Sequence, residues 1–207
     1  VRIAFGGGGT DVEPYCSGHG GFVINATISL FFRSVLNKRE DKSINIFSND
    51  KFTAYRFNKL DNLSIEKVDE DIIRAIIYLL QPEIGMDIYL HGEPPKKAGL
   101  GASASLCSCL IAGIQILSGK TFNEGIIAEK AYEVEQEILK NTGGRQDQYA
   151  AVYGGFNAIE FLGGSKVNIR YIKLSPSFLK ELEQRIILFY TGEPQTSGNM
   201  VGAQVDS

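Results

Sequence analysis

Residues 93–105 read Glu93-Pro94-Pro95-Lys96-Lys97-Ala98-Gly99-Leu100-Gly101-Ala102-Ser103-Ala104-Ser105, and an apolar run follows them to Leu117. Two prolines stiffen the approach, two glycines let the backbone turn its N–H groups inward, and a serine hydroxyl then stands at the start of a long helix. Free N–H groups and the positive helix end together make a cradle for an anion, with phosphate the natural guest. The plain alternative is a strand-to-helix turn capped by serines. No Gly-Lys-Ser/Thr follows a four-residue spacer, so this is not a Walker A loop. Ser103 to Leu117 is apolar nearly all round, which predicts a central, buried helix.

Outward from that helix, Met86 to His91, Ile44 to Ser48, Thr53 to Phe57 and Phe22 to Leu36 are rich in β-branched and aromatic residues and read as strands of a mixed or antiparallel sheet. Residues 1–5 alternate as a strand and run into Gly6-Gly7-Gly8-Gly9. Asp71 to Leu80 carries Ile72, Ile73, Ile76, Ile77 and Leu80, the recurrence of an amphipathic helix, and Pro82 stops it. Downstream, Asn123 to Lys140 reads as a second helix, acidic at its start and basic at its end, closed by Gly143-Gly144. Phe156 to Leu162 and Val167 to Leu174 read as strands, Pro176 to Gln184 as a helix, and Arg185 to Thr191 as a buried strand. Helices and strands mix without strict βαβ alternation, which predicts an α+β layer fold with no internal repeat.

A chain that is 43% hydrophobic, with 12 Phe and 9 Tyr, lies outside the composition of disordered segments and is expected to fold. The net charge of −3, with acids and bases interspersed, offers no basic field for nucleic acid or an anionic membrane, so an anionic ligand needs a local site. Cys16, Cys107 and Cys109 form neither a disulfide framework nor a zinc spacing and fit a reducing, cytoplasmic setting. The run from Leu106 to Leu117 is interrupted by Ser108 and Gln115 and is shorter than the ~20 residues of a membrane span. No signal peptide is seen. The chain opens inside a strand-like Val1-Arg2-Ile3-Ala4-Phe5 and stops in a polar stretch after Gly198, so it is expected to be part of a longer protein.

Two further places can carry chemistry. Glu135 and Asp147 stand twelve positions apart with a glycine turn between them, which lets the two carboxylates converge on one pocket, one holding a cation and the other accepting a proton. Equally, Glu129, Glu133, Glu135 and Glu137 can form one solvated face and Asp147 a helix cap. Arg2 and Asp11 bracket the glycine run, either as a clamp on a polar ligand or as a surface ion pair worth at most ~1 kcal/mol. His19 and His91 form no ligand spacing and read as surface or edge residues.

The order of these signals resembles the GHMP kinases, the family of galactokinase, homoserine kinase, mevalonate kinase and phosphomevalonate kinase. Pro95 to Ala104 is similar to the family's Pro-x-x-x-Gly-Leu-Gly-Ser-Ser-Ala phosphate loop, with Ala102 where the family often has serine. A closer likeness is to the D-glycero-D-manno-heptose 7-phosphate kinase branch. It rests on Arg2-Ile3-Ala4-Phe5 leading into Gly7-Gly8-Gly9-Thr10-Asp11, on Gly20-Gly21 with Asn25-Ala26-Thr27-Ile28, and on Gly143-Gly144-Arg145-Gln146-Asp147-Gln148-Tyr149 followed by Gly154-Gly155-Phe156-Asn157. Galactokinases read Gly-Glu-His-Thr-Asp at the first of these motifs, which argues against galactose here.

The resemblance implies a ribosomal S5 domain 2-like, ATP-binding N-terminal domain over residues 1–184 and the start of a ferredoxin-like C-terminal domain over residues 185–207, with the family's third, glycine-rich motif absent. It implies ATP and Mg2+ as cofactors, with Pro95, Gly99, Leu100, Gly101, Ala102, Ser103 and Ala104 around the phosphates and Ser103 and Glu135 on the magnesium. Asp147 is implied as the catalytic carboxylate, Arg2 as the residue steadying it and the transferring phosphate, and Gly9, Thr10, Asp11 and Gly144 as the sugar side. The implied acceptor is the anomeric hydroxyl of heptose 7-phosphate, giving the 1,7-bisphosphate, with Lys96, Lys97 or Arg145 as candidates for the sugar's own phosphate. Rival expectations are an L-fucose- or galactose-type kinase, a non-catalytic nucleotide- and sugar-binding regulator, and an S5-like nucleic-acid module. A homodimer is left open.

Overall fold

The computed structural model describes residues 1–48, 53–57, 72–95, 98–164 and 166–190. Asp71, Lys96, Lys97 and the segment from Thr191 to Ser207 therefore lie outside the described residues. Two four-stranded sheets frame the fold. In the first, β1 (Arg2–Gly6), β2 (Gly21–Thr27), β7 (Phe156–Phe161) and β8 (Val167–Tyr171) lie side by side, all antiparallel. In the second the order is β3 (Phe32–Lys38), β6 (Met86–Gly92), β4 (Ile44–Ser48) and β5 (Thr53–Phe57), with only β4 and β6 parallel. The stretch from Phe22 to Leu36 is thus two strands in different sheets, separated at residues 28–31.

The helices are α1 (Tyr15–His19), α2 (Ile72–Leu80), α3 (Ala102–Leu117), α4 (Glu124–Tyr132), α5 (Gln146–Tyr153) and α6 (Pro176–Arg185). Alternation in β4 and β6 points Ile44, Ile46, Met86, Ile88 and Leu90 inward, where they meet Ile76 and Ile77 of α2 and Cys107, Leu110, Ile111 and Ile114 of α3. Each fully buried isoleucine of this kind contributes roughly 1.5–3 kcal/mol. A second core joins Cys16, Val23, Ala128, Tyr149, Ile159 and Phe161, so α4 is shared between the two. The predicted central helix is confirmed, running from Ala102 to Leu117 against β3, α2, α4 and α5.

Two expectations fail. Asn123 to Lys140 is not one α-helix, because α4 gives way to a π-helical segment at Glu133–Ile138. Nor do Gly143-Gly144 close it: Lys140 takes the left-handed conformation (φ 54°), and the Asn141 N–H donates to the Glu135 carbonyl at 2.9 Å. Likewise the predicted buried strand from Arg185 onward is absent over its described part. Arg185 ends α6, and Ile186 to Tyr190 pair with no strand among the described residues, Phe189 being 81% exposed. Apolar composition alone does not make a strand without a neighbouring edge to accept its hydrogen bonds. Among the described residues no helix is long and apolar enough to cross a membrane.

Candidate active site

The loop before α3 is shaped by two left-handed glycines, Gly99 (φ +69°) and Gly101 (φ +70°), a conformation that L side chains avoid. Gly101 is the backbone cap of α3 and makes no side-chain cap hydrogen bond; the first N–H groups of a helix are its unpaired, electropositive donors, and here they stand at the end of the loop. A Cβ on Gly101 would sit 3.0 Å from Cγ of Asp147, so the loop passes directly over that carboxylate.

Arg2 holds these pieces together. Its backbone N–H donates to the Leu100 carbonyl at 3.0 Å and its Nη1 to the Gly99 carbonyl at 2.7 Å. Its Nε and Nη2 both reach Oδ1 of Asp147 at 2.6 Å. Arg2 therefore forms no surface pair with Asp11, one of the two readings its spacing allowed, but meets Asp147, the carboxylate that the family resemblance implies it steadies. Asp147, on the first turn of α5, has its pKa raised by burial, with the Arg2 guanidinium opposing.

Glu135 is buried, not solvated as one alternative had it. Within the π-helical segment Val134 and Glu135, adjacent in sequence, are both buried. Glu135 accepts from Nε2 of Gln148 at 2.7 Å and from the Ser103 hydroxyl. Burial pushes its pKa up to about 7; those two hydrogen bonds oppose the rise and the Asp147 charge adds to it. The Ser103 hydroxyl and the Glu135 carboxylate present two hard oxygens side by side. Among the described residues no group of three or more His, Cys, Asp or Glu could hold a metal. A phosphate-bound Mg2+ needs only one or two protein oxygens, because phosphates and water supply the rest, so the pair fits that ion.

Asp11 is 2% exposed and accepts from the Gly9 N–H (3.2 Å), the Gln146 N–H (2.9 Å) and Nε2 of Gln146 (3.2 Å). Its carboxylate lies against Gly144, where any side chain would overlap it. A cavity of about 360 Å³ collects these groups: Arg2, Gly9, Asp11, the loop from Ala98 to Ser103, Glu135, Gly144 and Asp147 all line it.

Pro95, Thr10 and Ala104 are not among the residues that line it. The Thr10 hydroxyl instead donates to the Gly7 carbonyl at 2.7 Å and accepts from the Phe22 N–H at 3.0 Å, tying the glycine turn to β2. Ala104 is buried inside α3. Arg145 is engaged by Glu129 at 3.2 Å and lies 4.2 Å from the Tyr132 ring centroid, so it is not free to receive a sugar phosphate. The sequence reading missed Gln146 and Gln148, which hold Asp11 and Glu135; the signal was two amides flanking Asp147 at the start of α5.

The chain is similar to several known proteins. Residues 71–155 match the GHMP kinases N terminal domain. The chain is 34% identical over 195 residues to a D-glycero-alpha-D-manno-heptose 7-phosphate kinase of Campylobacter jejuni, covering 92% of this chain and 58% of that protein. It is 26% identical over 212 residues to a bifunctional fucokinase/GDP-fucose pyrophosphorylase of Arabidopsis thaliana, covering 93% of this chain and 20% of that protein. A solved D-glycero-D-manno-heptose 1-phosphate kinase from Bacteriodes thetaiotaomicron superposes with a TM-score of 0.79 at 29% identity, over 88% of this chain and 61% of that one. The chain thus spans about three fifths of the two heptose kinases. The phosphate-loop motif, the shared fold and these relatives agree: residues 71–155 match the N-terminal domain of the GHMP kinases, and the chain is similar over most of its length to sugar kinases.

Proposed function

We propose that this chain supplies the nucleotide- and sugar-binding domain of a sugar kinase that transfers the γ-phosphoryl group of ATP, with Mg2+, to the anomeric hydroxyl of D-glycero-D-manno-heptose 7-phosphate. The observation that carries the reading is one cavity in which Asp147, ion-paired to Arg2, lies beneath a glycine loop that opens on the N-terminus of a buried helix. Phosphoryl transfer asks the protein for alignment and charge neutralisation more than for covalent chemistry. Backbone N–H groups from Gly99 to Ser103 hold the β- and γ-phosphates. Ser103 and Glu135 hold the magnesium, which when bound neutralises phosphate charge. Asp147 accepts the proton of the attacking hydroxyl, and Arg2 fixes Asp147 and meets the transferring group. Asp11, with Gly9 and Gly144 beside it, reads the sugar.

Free thiols at Cys16, Cys107 and Cys109 are in keeping with a reducing, cytoplasmic setting. The exposed apolar run from Ile186 to Tyr190 supports a boundary near Arg185, beyond which the family's second domain begins. The name of the Arabidopsis relative favours one second reading, a kinase of L-fucose type. ADP release by the full-length protein, measured with ATP and Mg2+ across heptose 7-phosphate, L-fucose and galactose, separates the two. The expected result is a kcat/KM at least tenfold higher for heptose 7-phosphate; faster turnover of a free sugar, or no ADP with any of them, contradicts it.

A further inference from the structure

Asp11 is the cavity's sugar-side carboxylate, and its hydrogen-bond capacity is nearly filled by the protein itself. A carboxylate offers about four acceptor positions. Oδ1 takes the Gly9 N–H at 3.2 Å and Nε2 of Gln146 at 3.2 Å, and Oδ2 takes the Gln146 N–H at 2.9 Å. One position therefore remains, on Oδ2. Two of the three donors come from the single residue Gln146 and reach different oxygens, which fixes the carboxylate plane against rotation. Gly144 packs against the carboxylate, nearest Oδ2, and leaves room there that any side chain would fill. Gln146 is 9% exposed, and its Oε1 is buried without a partner, so the one hydrogen bond its side chain makes among the described residues is the one to Asp11.

We infer that Gln146 is the positioning residue that sets sugar selectivity, by pinning Asp11 so that it presents one directed acceptor to one sugar hydroxyl. The inference rests on the sugar-kinase reading above and adds a residue to it. A pinned acceptor discriminates because the wrong epimer leaves it desolvated and unpaired, whereas a carboxylate free to turn follows a misplaced hydroxyl. Removing the Nε2 donor opens the second position on Oδ1 and releases the rotation, while the backbone N–H of residue 146 stays.

The test uses the full-length protein and Gln146→Met, which keeps the side chain's length and helix preference but not its donor. The kcat/KM ratio between the preferred sugar and its ring-hydroxyl epimers is measured for both, beside the KM for ATP and the thermal midpoint. The ratio is expected to fall about tenfold, the scale of one hydrogen bond to a charged group, with the ATP KM within twofold. In a double-mutant cycle with Asp11→Asn, read on this selectivity ratio, the two changes are expected to be non-additive, whereas a merely structural role for Gln146 moves the thermal midpoint and leaves the ratio unchanged. If Gln146→Met lowers the thermal midpoint, Gln146→Asn, whose amide is retracted by one methylene, carries the same expectation. An unchanged ratio in a stable variant, beside a wild-type enzyme that does discriminate, overturns this inference alone. No wild-type turnover on any sugar overturns the kinase reading and this inference with it.

Discussion

Glu135→Gln gives a direct measure of how hard the cavity presses on its buried carboxylate. In the unfolded chain this carboxyl titrates at its ordinary 4.5, and in the fold at about 7. The folded state therefore binds the proton more tightly. The penalty for charging the group is absent below pH 4.5, grows as the pH rises from 4.5 to about 7, and is constant above. A difference of about 2.5 units corresponds to about 3 kcal/mol at pH 8, and to about 1 kcal/mol at pH 5. Glutamine keeps an oxygen for Gln148 and Ser103 and carries no charge, so the variant escapes the penalty. Urea unfolding without divalent cation should show Glu135→Gln about 3 kcal/mol more stable than wild type at pH 8 and about 1 kcal/mol more stable at pH 5. A stability gain equal at the two pH values refutes the reasoning, because the gain would then not come from ionisation.

Gly101→Ala forces a side chain into the left-handed region, a cost of about 1–2 kcal/mol, and aims its Cβ at Asp147; calorimetry should show a midpoint lower by a few degrees, and steady-state kinetics a lower kcat. Ser103→Ala removes one of the two oxygens assigned to magnesium, and a titration of turnover against Mg2+ should show the half-saturating concentration rising about tenfold, the scale of one hydrogen bond to a charged group. Burial raises the Cys107 thiol well above its ordinary pKa, so iodoacetamide at pH 8 should label it only after denaturation, read by peptide mass.

β-Branched and aromatic enrichment made β4, β5 and β6 legible, because such side chains suit the pleated surface of a sheet, and the nearly all-round apolar stretch from Ser103 to Leu117 announced the buried central helix. The site was legible as a set of residues and, through the family resemblance, as the pairs Arg2–Asp147 and Ser103–Glu135. Spacing alone gave neither, since Arg2 and Asp147 lie 145 positions apart. Glu135 lines the cavity from a π-helical segment, and nothing in Glu133-Val134-Glu135-Gln136-Glu137-Ile138 distinguishes that from an ordinary α-helix. Arg145 looked available because its charge is visible in sequence, whereas Glu129, which occupies it, is sixteen positions away on another helix. Gln146 and Gln148 passed unnoticed because neutral amides acquire meaning only once the carboxylates they hold are known.

The central claim is that the carboxylate under the glycine loop faces the acceptor hydroxyl. Asp147→Asn in the full-length protein tests it most directly, with ADP release and ATP binding measured on the same preparation. Turnover should fall by about a hundredfold or more while ATP affinity stays within a few-fold of wild type. Turnover near wild type with both substrates bound contradicts it.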